Sequence, residues 1–148
     1  MKLFAVWHLL LLVYLFGIGS CATAPQAVNP YFEMPPEHLQ IAERELFSLA
    51  LHQQKNNKLR SSIGLWTRFL ANNPRSFRGY NNLGMVYYAN GQLSLALYTF
   101  ETGLDLEPFD KKIKDNLKRA LRFQVTLLRE NKDYGAAIQS LKRIAKLS

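Results

Sequence analysis

The sequence predicts an all-α domain of paired helices, preceded by an export signal and a proline-rich tether. From residue 37 onward, apolar side chains recur three and four positions apart, which is the spacing of one helix face. No stretch alternates apolar and polar residues as a half-buried strand does. Pro74 and Pro108 stand 34 residues apart, and a fixed period of this length is typical of stacked helix-pair repeats.

The amino terminus has the layout of a secretory signal, with one lysine before a mostly apolar stretch over residues 3–19. The segment 18–21, Ile-Gly-Ser-Cys, resembles a bacterial lipobox, in which the cysteine thiol takes a diacylglycerol. Cys21 is the only cysteine in the chain. The resemblance implies a signal peptide over 1–20 and a lipid on Cys21. Because Ala22 follows rather than aspartate, it also implies the periplasmic face of the outer membrane.

Two alternatives to a lipoprotein stay open. Ala22-Thr23-Ala24 fits an ordinary signal-peptidase site, which would give a soluble periplasmic protein cleaved after Ala24. Otherwise residues 3–19 remain as an inner-membrane anchor, although this stretch is at the short edge for a helix that crosses about 30 Å of hydrocarbon.

Residues 21–36 are predicted to be a flexible tether between the lipid and the domain. Four prolines between residues 22 and 38 are incompatible with a continuous helix or a central strand. The alternative is an extended arm that docks in part, since Tyr31, Phe32 and Met34 are apolar.

Six helices are predicted after the tether. Pro36 suits the first turn of the first helix, and clusters of Asn, Gly and Pro separate the later ones. The predicted ranges are 37–54, 58–71, 77–89, 93–106, 111–130 and 134–147.

The segment 77–108 carries a pattern of small, aromatic and turn residues. Gly84 and Ala96 are small where the two helices of a pair would cross, and Pro108 ends the second helix. Tyr87 and Phe100 would fill the space beside the crossing. The pattern resembles a tetratricopeptide repeat at Tyr80, Leu83, Gly84, Tyr87, Ala96, Phe100 and Pro108.

Weaker copies of this pattern lie on either side. One covers residues 43–74. In the other, the small residue of the second helix appears at Ala137, seven positions late, which predicts a first helix longer by two turns. The resemblance implies a short α-solenoid of about three tetratricopeptide-like helix pairs over residues 37–148, and about three repeats are needed for stability.

Catalytic chemistry is not expected from this sequence. It contains no nucleophile motif, phosphate-binding loop or metal-ligand spacing, so we expect neither an enzyme nor a cofactor nor a metal site. His38 and His52 share a predicted helix but would lie about 21 Å apart along its axis. Nucleic acid is not expected as a partner, because aromatic side chains do not interleave the basic residues.

The resemblance also implies a binding surface, because the first helix of each pair lines a concave groove in such arrays. Asn82 and Asn116, 34 residues apart, are expected to form a ladder whose amides bond to the backbone of an extended segment. The alternative is that asparagine here is only a consensus residue of the repeat. The predicted groove positions are Arg44, Phe47, Ser48, Leu51, Lys55, Arg78, Asn81, Asn82, Met85, Tyr88, Lys112, Asp115, Asn116, Arg119 and Arg122. The candidate peptide-binding residues among them are Arg78, Asn82, Met85, Tyr88, Lys112, Asn116, Arg119 and Arg122.

Positive charge is concentrated on one predicted helix. Residues 111–132 hold eight basic and two acidic side chains, a net +6, in a chain whose total is +8. Such a helix suits acidic side chains or an anionic membrane, and a merely solvated face is the alternative.

The sequence therefore predicts a non-enzymatic scaffold or adaptor lipoprotein of the bacterial envelope, acting in pilus, secretion or outer-membrane assembly. The expected partners are another envelope protein, bound through an extended acidic segment, and the membrane, bound through the lipid. The alternatives are an accessory subunit or adaptor of a periplasmic hydrolase and a structural protein that associates with itself as a homo-oligomer.

Overall fold

The computed structural model describes residues 32–147, and this part of the chain is helical without strands. The predicted signal peptide and Cys21, the predicted lipidation site, lie outside the described residues. The six helices are α1 (Ile41–Lys55), α2 (Leu59–Asn72), α3 (Phe77–Ala89), α4 (Leu93–Leu106), α5 (Lys111–Glu130) and α6 (Tyr134–Lys146).

The helices form three successive pairs, α1–α2, α3–α4 and α5–α6, and each pair packs against the next. Contacts also join α1 to α3 and α3 to α5, so the first helices of the pairs form one row. This arrangement confirms the all-α, paired-helix architecture. The groove described below lies on this row of first helices.

The same turn closes all three pairs. Asn57, Gly91 and Lys132 have φ values of 57°, 74° and 62°, the left-handed conformation that often ends a helix. In each turn the next residue donates its N–H to a carbonyl five positions back, as Gln92 does to Tyr87 at 2.9 Å. The first two turn residues are 34 apart and the last two are 41 apart. The third pair is therefore the same hairpin with seven extra residues in α5, which has 20 residues against 13 in α3.

Two apolar clusters hold the pairs together. In the first, the rings of Phe47 and Trp66 meet edge to face with centroids 4.7 Å apart, and the Trp66 indole N–H donates to Gln54 Oε1 at 2.9 Å. The second surrounds Phe100. Tyr87 on α3 packs against both clusters.

The close crossing predicted for the middle pair is present. A Cβ added to Gly84 would lie 2.6 Å from the ring of Phe100, and both Ala96 and Phe100 are fully buried. Only a glycine lets α3 approach α4 so closely.

The start of the first helix differs from the prediction. It begins at Ile41 rather than at residue 37, because residues 37–39 form a turn that buries Leu39 in the first cluster. The other five predicted helices agree with the structure to within one residue at each end. None of the described helices has the length and apolar character needed to cross a bilayer.

Candidate functional site: a groove on α3 and α5

A short N-terminal segment lies against the row of first helices. We call residues 32–36 the arm, and we call the surface of α3 and α5 that carries Arg78, Asn82, Met85, Tyr88, Lys112, Arg119 and Arg122 the groove. The arm belongs to the stretch predicted as a flexible tether, so that prediction is wrong for these residues and the docked alternative holds. The reason is that polar side chains of the groove satisfy the arm's backbone.

Asn82 makes the central contact. Its Oδ1 accepts a hydrogen bond from the Glu33 backbone N–H at 2.9 Å, and its Nδ2 donates to the Glu33 carbonyl at 3.0 Å. Both residues are buried, with Asn82 fully so. One amide thus satisfies both backbone groups of one arm residue, a pattern that depends on an extended backbone and not on the side chain presented.

Two basic side chains also bind the arm. Arg78 donates to the Met34 carbonyl at 3.2 Å. Lys112 donates to the Phe32 carbonyl at 3.2 Å and to the Glu33 carboxylate at 3.3 Å. The Glu33 side chain is 8% exposed and that of Lys112 is 42% exposed. Because Lys112 is partly solvated, we assign this ion pair no more than about 1 kcal/mol.

Apolar contacts fix the arm at both ends. Phe32 packs against the first core cluster, and Leu39, just beyond the arm, is 8% exposed within it. Met34 between them is half exposed. The arm therefore lies with its backbone toward α3 and α5 and with Met34 partly toward solvent.

The predicted asparagine ladder is wrong for Asn116. This residue is fully buried, and its Nδ2 donates to Asn81 Oδ1 at 2.7 Å. Its own Oδ1 accepts from Arg119 at 3.1 Å. Asn116 therefore ties α5 to α3 within the fold, and the predicted exposure of Asn81 is wrong because this residue is fully buried as well.

The far end of the groove is aromatic and basic. Arg119 donates to the sulfur of Met85 at 2.8 Å, and its guanidinium lies 5.3 Å from the centroid of the Tyr88 ring. The Tyr88 ring meets Phe123 edge to face with centroids 6.0 Å apart. Arg122 is exposed. The predicted residues Met85, Tyr88 and Arg119 thus continue the groove from Asn82 and Lys112 toward the carboxyl ends of α3 and α5, and Arg122, three residues beyond Arg119, stays a predicted groove residue.

The contribution predicted for α1 is partly wrong. Phe47 and Leu51 are buried in the first core cluster and face no groove, whereas Arg44, Ser48 and Lys55 are exposed as expected. The cause is the edge-on packing of Phe47 against both Trp66 and Phe69. The groove accordingly belongs to α3 and α5.

Sequence reasoning missed Glu33, the one arm residue whose side chain the groove binds. An acidic residue between two apolar ones, Phe32 and Met34, was the available signal, since prolines on both sides keep this segment extended. Among residues 32–147 no group of three or more His, Cys, Asp or Glu side chains is placed to hold a metal ion.

The comparisons with known proteins agree with this architecture. Residues 47–111 match the family model of the tetratricopeptide repeat. The fold is similar to the crystal structure of the type III secretion translocator chaperone SycD from Yersinia enterocolitica (alternative dimer), with a TM-score of 0.50 and 15% identity. That match covers 76% of this chain and 96% of the SycD chain. In sequence, no curated protein matches the chain. Residues 47–111 therefore match a tetratricopeptide repeat, and the stacked helix pairs show a tetratricopeptide-like fold, which supports a scaffold for protein–protein interaction.

Proposed function

We propose that this protein is a lipid-anchored adaptor of the bacterial envelope that holds an extended, acidic segment of another envelope protein in the groove on α3 and α5. The observation that carries the proposal is the pair of hydrogen bonds in which the Asn82 amide accepts from the N–H and donates to the C=O of a single backbone residue, Glu33. An amide buried in a groove and aimed at an extended backbone is suited to peptide binding.

Charge in the groove favours an acidic segment. Four basic side chains lie along it, those of Arg78, Lys112, Arg119 and Arg122. The acidic Asp115 on α5 is paired with Lys111 at 2.7 Å. Partly exposed ion pairs contribute about 0–1 kcal/mol each and are screened by salt. Binding should therefore be of modest affinity and should weaken as ionic strength rises.

The envelope location rests on the amino terminus. The apolar stretch followed by Ile18-Gly19-Ser20-Cys21 supports export and lipidation, and Ala22 supports the outer membrane. A tethered adaptor with this groove suits pilus, secretion or outer-membrane assembly. A periplasmic hydrolase is another class of partner that the same groove would serve.

Site-specific photo-crosslinking tests the proposal. A photoreactive residue at Arg122, which is exposed in the groove, should trap a partner in intact envelopes, and the mapped peptide should be acidic and extended. The control position is Tyr98 on α4, the second helix of the middle pair, which is 69% exposed. The additional change Lys112→Glu should reduce the Arg122 adduct. Equal crosslinking at both positions would refute the proposal.

A second candidate, self-association, is favoured by one feature of α6. Tyr134, Ile138 and Leu141 are 61%, 52% and 51% exposed, and their spacing of four and three places them on one helix face. In a longer array, a following helix pair would cover such a face. Sedimentation of the wild-type chain and of Leu141→Glu tests this candidate. Self-association requires that the wild-type chain is a dimer and that the substitution dissociates it.

A further inference from the structure

We propose that residues 32–34 are a built-in occupant of the groove, and that a partner's segment binds by displacing them and carries the same chemistry. That chemistry is an extended backbone with a carboxylate opposite Lys112 and an apolar side chain on either side. The inference rests on the proposed function, because it identifies the kind of segment that the groove accepts and the contact that limits access to it.

The contacts of the arm are those that a bound peptide would make. Of the five hydrogen bonds that join it to Arg78, Asn82 and Lys112, four use backbone atoms of the arm. The fifth reaches the carboxylate of Glu33. Any extended segment can satisfy the four backbone bonds, so the side-chain preference comes from Lys112, which selects for an acidic residue.

The arm is also placed so that it can leave. An open cleft of about 790 Å³ lies between residues 34–39 and residues 73–78, which are the α2–α3 connection and the start of α3. The arm is therefore held by α3 and α5 at Glu33, which is buried, and borders this open cleft from Met34 onward. Met34, which lines this cleft, is half exposed.

The arm belongs to its own groove and not to that of a second copy. Only residues 37–40 separate it from α1, and the turn within this link buries Leu39 in the same chain's core. Exchange between copies would extract Leu39 from that core. A short connection of this kind gives the arm an effective concentration on the order of millimolar, against which any partner must compete.

This competition predicts the affinity of a peptide added in trans. A peptide that reproduces only the arm's contacts should bind the wild-type chain poorly, because the tethered copy already satisfies the groove. A natural partner gains over the arm through contacts further along the groove, at Tyr88.

The test uses full-length chains and a labelled peptide with the sequence of residues 29–36, Asn-Pro-Tyr-Phe-Glu-Met-Pro-Pro. Fluorescence anisotropy compares the wild-type chain with the double variant Phe32→Ala, Glu33→Ala, whose arm is weakened while its groove is intact. We expect the peptide to bind the variant at least about tenfold more tightly. Adding Asn82→Ala to the variant should abolish this increase in peptide affinity. A peptide with Lys in place of Glu should not bind the variant more tightly than the wild-type chain.

Two results would overturn the inference. One is equal affinity for the wild-type and arm-variant chains. The other is no binding to an arm variant whose thermal melt is close to wild type. Because Phe32 contacts the core, the single variant Glu33→Ala is measured in parallel, and it must show the same direction of change.

The two proposals fail separately. If no envelope partner crosslinks at Arg122 but the peptide binds the arm variant preferentially, the proposed function fails and the built-in occupant stands. If a partner crosslinks at Arg122 but the peptide does not distinguish the two chains, the arm does not limit access and the inference fails.

Discussion

Replacing Gly84 by alanine tests the close crossing on which the position of α3, and hence of the groove, depends. An alanine Cβ would lie 2.6 Å from two ring carbons of Phe100, a separation that real Cβ atoms essentially never show. Phe100 is fully buried, so its ring has no solvent-filled space into which to move. The substitution should therefore push α3 and α4 apart.

The expected magnitude combines two opposing effects. Overpacking a core position costs about 1–3 kcal/mol. Alanine in place of glycine in a helix contributes about 0.5–1 kcal/mol of stability. Gly64 in α2 is the matched control, because it lies inside a helix and a Cβ there meets nothing within 4 Å. The difference between Gly84→Ala and Gly64→Ala removes the helix-propensity effect and isolates the overpacking cost.

Thermal unfolding followed by circular dichroism measures this difference. Unfolding entropies of about 2.1 cal/mol/K per residue give roughly 240 cal/mol/K for the 116 described residues. An overpacking cost of 1–3 kcal/mol then corresponds to about 4–12 °C between the two variants. Gly64→Ala should melt above wild type and Gly84→Ala below it. If both variants raise the melting temperature equally, α3 and α4 do not cross at Gly84 and the reasoning fails.

Two further predictions concern the anchor and the buried asparagine. Cys21→Ala should release the protein from membranes or block its processing, and mass spectrometry that finds a lipid-free mature terminus at Pro25 would contradict lipidation. Asn116→Ala should lower stability by about 1–3 kcal/mol, because it removes the buried partner of Asn81. The exposed Asn72→Ala should change stability by less than about 0.5 kcal/mol. A loss of peptide binding in Asn116→Ala without a loss of stability would restore Asn116 to the binding surface.

Most of the helical architecture could be predicted from the sequence because it depends on local signals. Helical spacing of apolar residues and breaks at Asn, Gly and Pro located five helices to within one residue. The seven-residue shift of Ala137 predicted the longer α5. The left-handed residues Gly91 and Lys132, 41 positions apart, show the same seven-residue shift at the turn. The spacing of the repeats in the sequence predicts the spacing of the turns in the structure because each helix pair is the same structural unit.

The binding surface was harder to predict because exposure depends on which neighbours each side chain meets. Phe47 occupies a position that the repeat assigns to the groove, yet it lies in the core because its ring packs against Trp66 and Phe69. The docked arm depends on contacts 44 to 80 residues apart in the chain, which no local pattern encodes. Apolar side chains between prolines indicated only that docking was an alternative.

Repeat equivalence explains why two asparagines 34 residues apart have different roles. Asn116 donates to Asn81, which belongs to the preceding pair. Shifted back by 34 residues, the same bond would run from Asn82 to position 47, where the chain has a phenylalanine with no acceptor. Asn82 therefore has no equivalent partner in the preceding pair, and its buried amide forms hydrogen bonds with the backbone of Glu33 instead. The burial of Asn82 is that of the chain with its arm docked. A docked segment that left this amide unpaired would lose about 1–3 kcal/mol, so the groove favours an extended segment whose backbone supplies both partners, from the arm or from a partner.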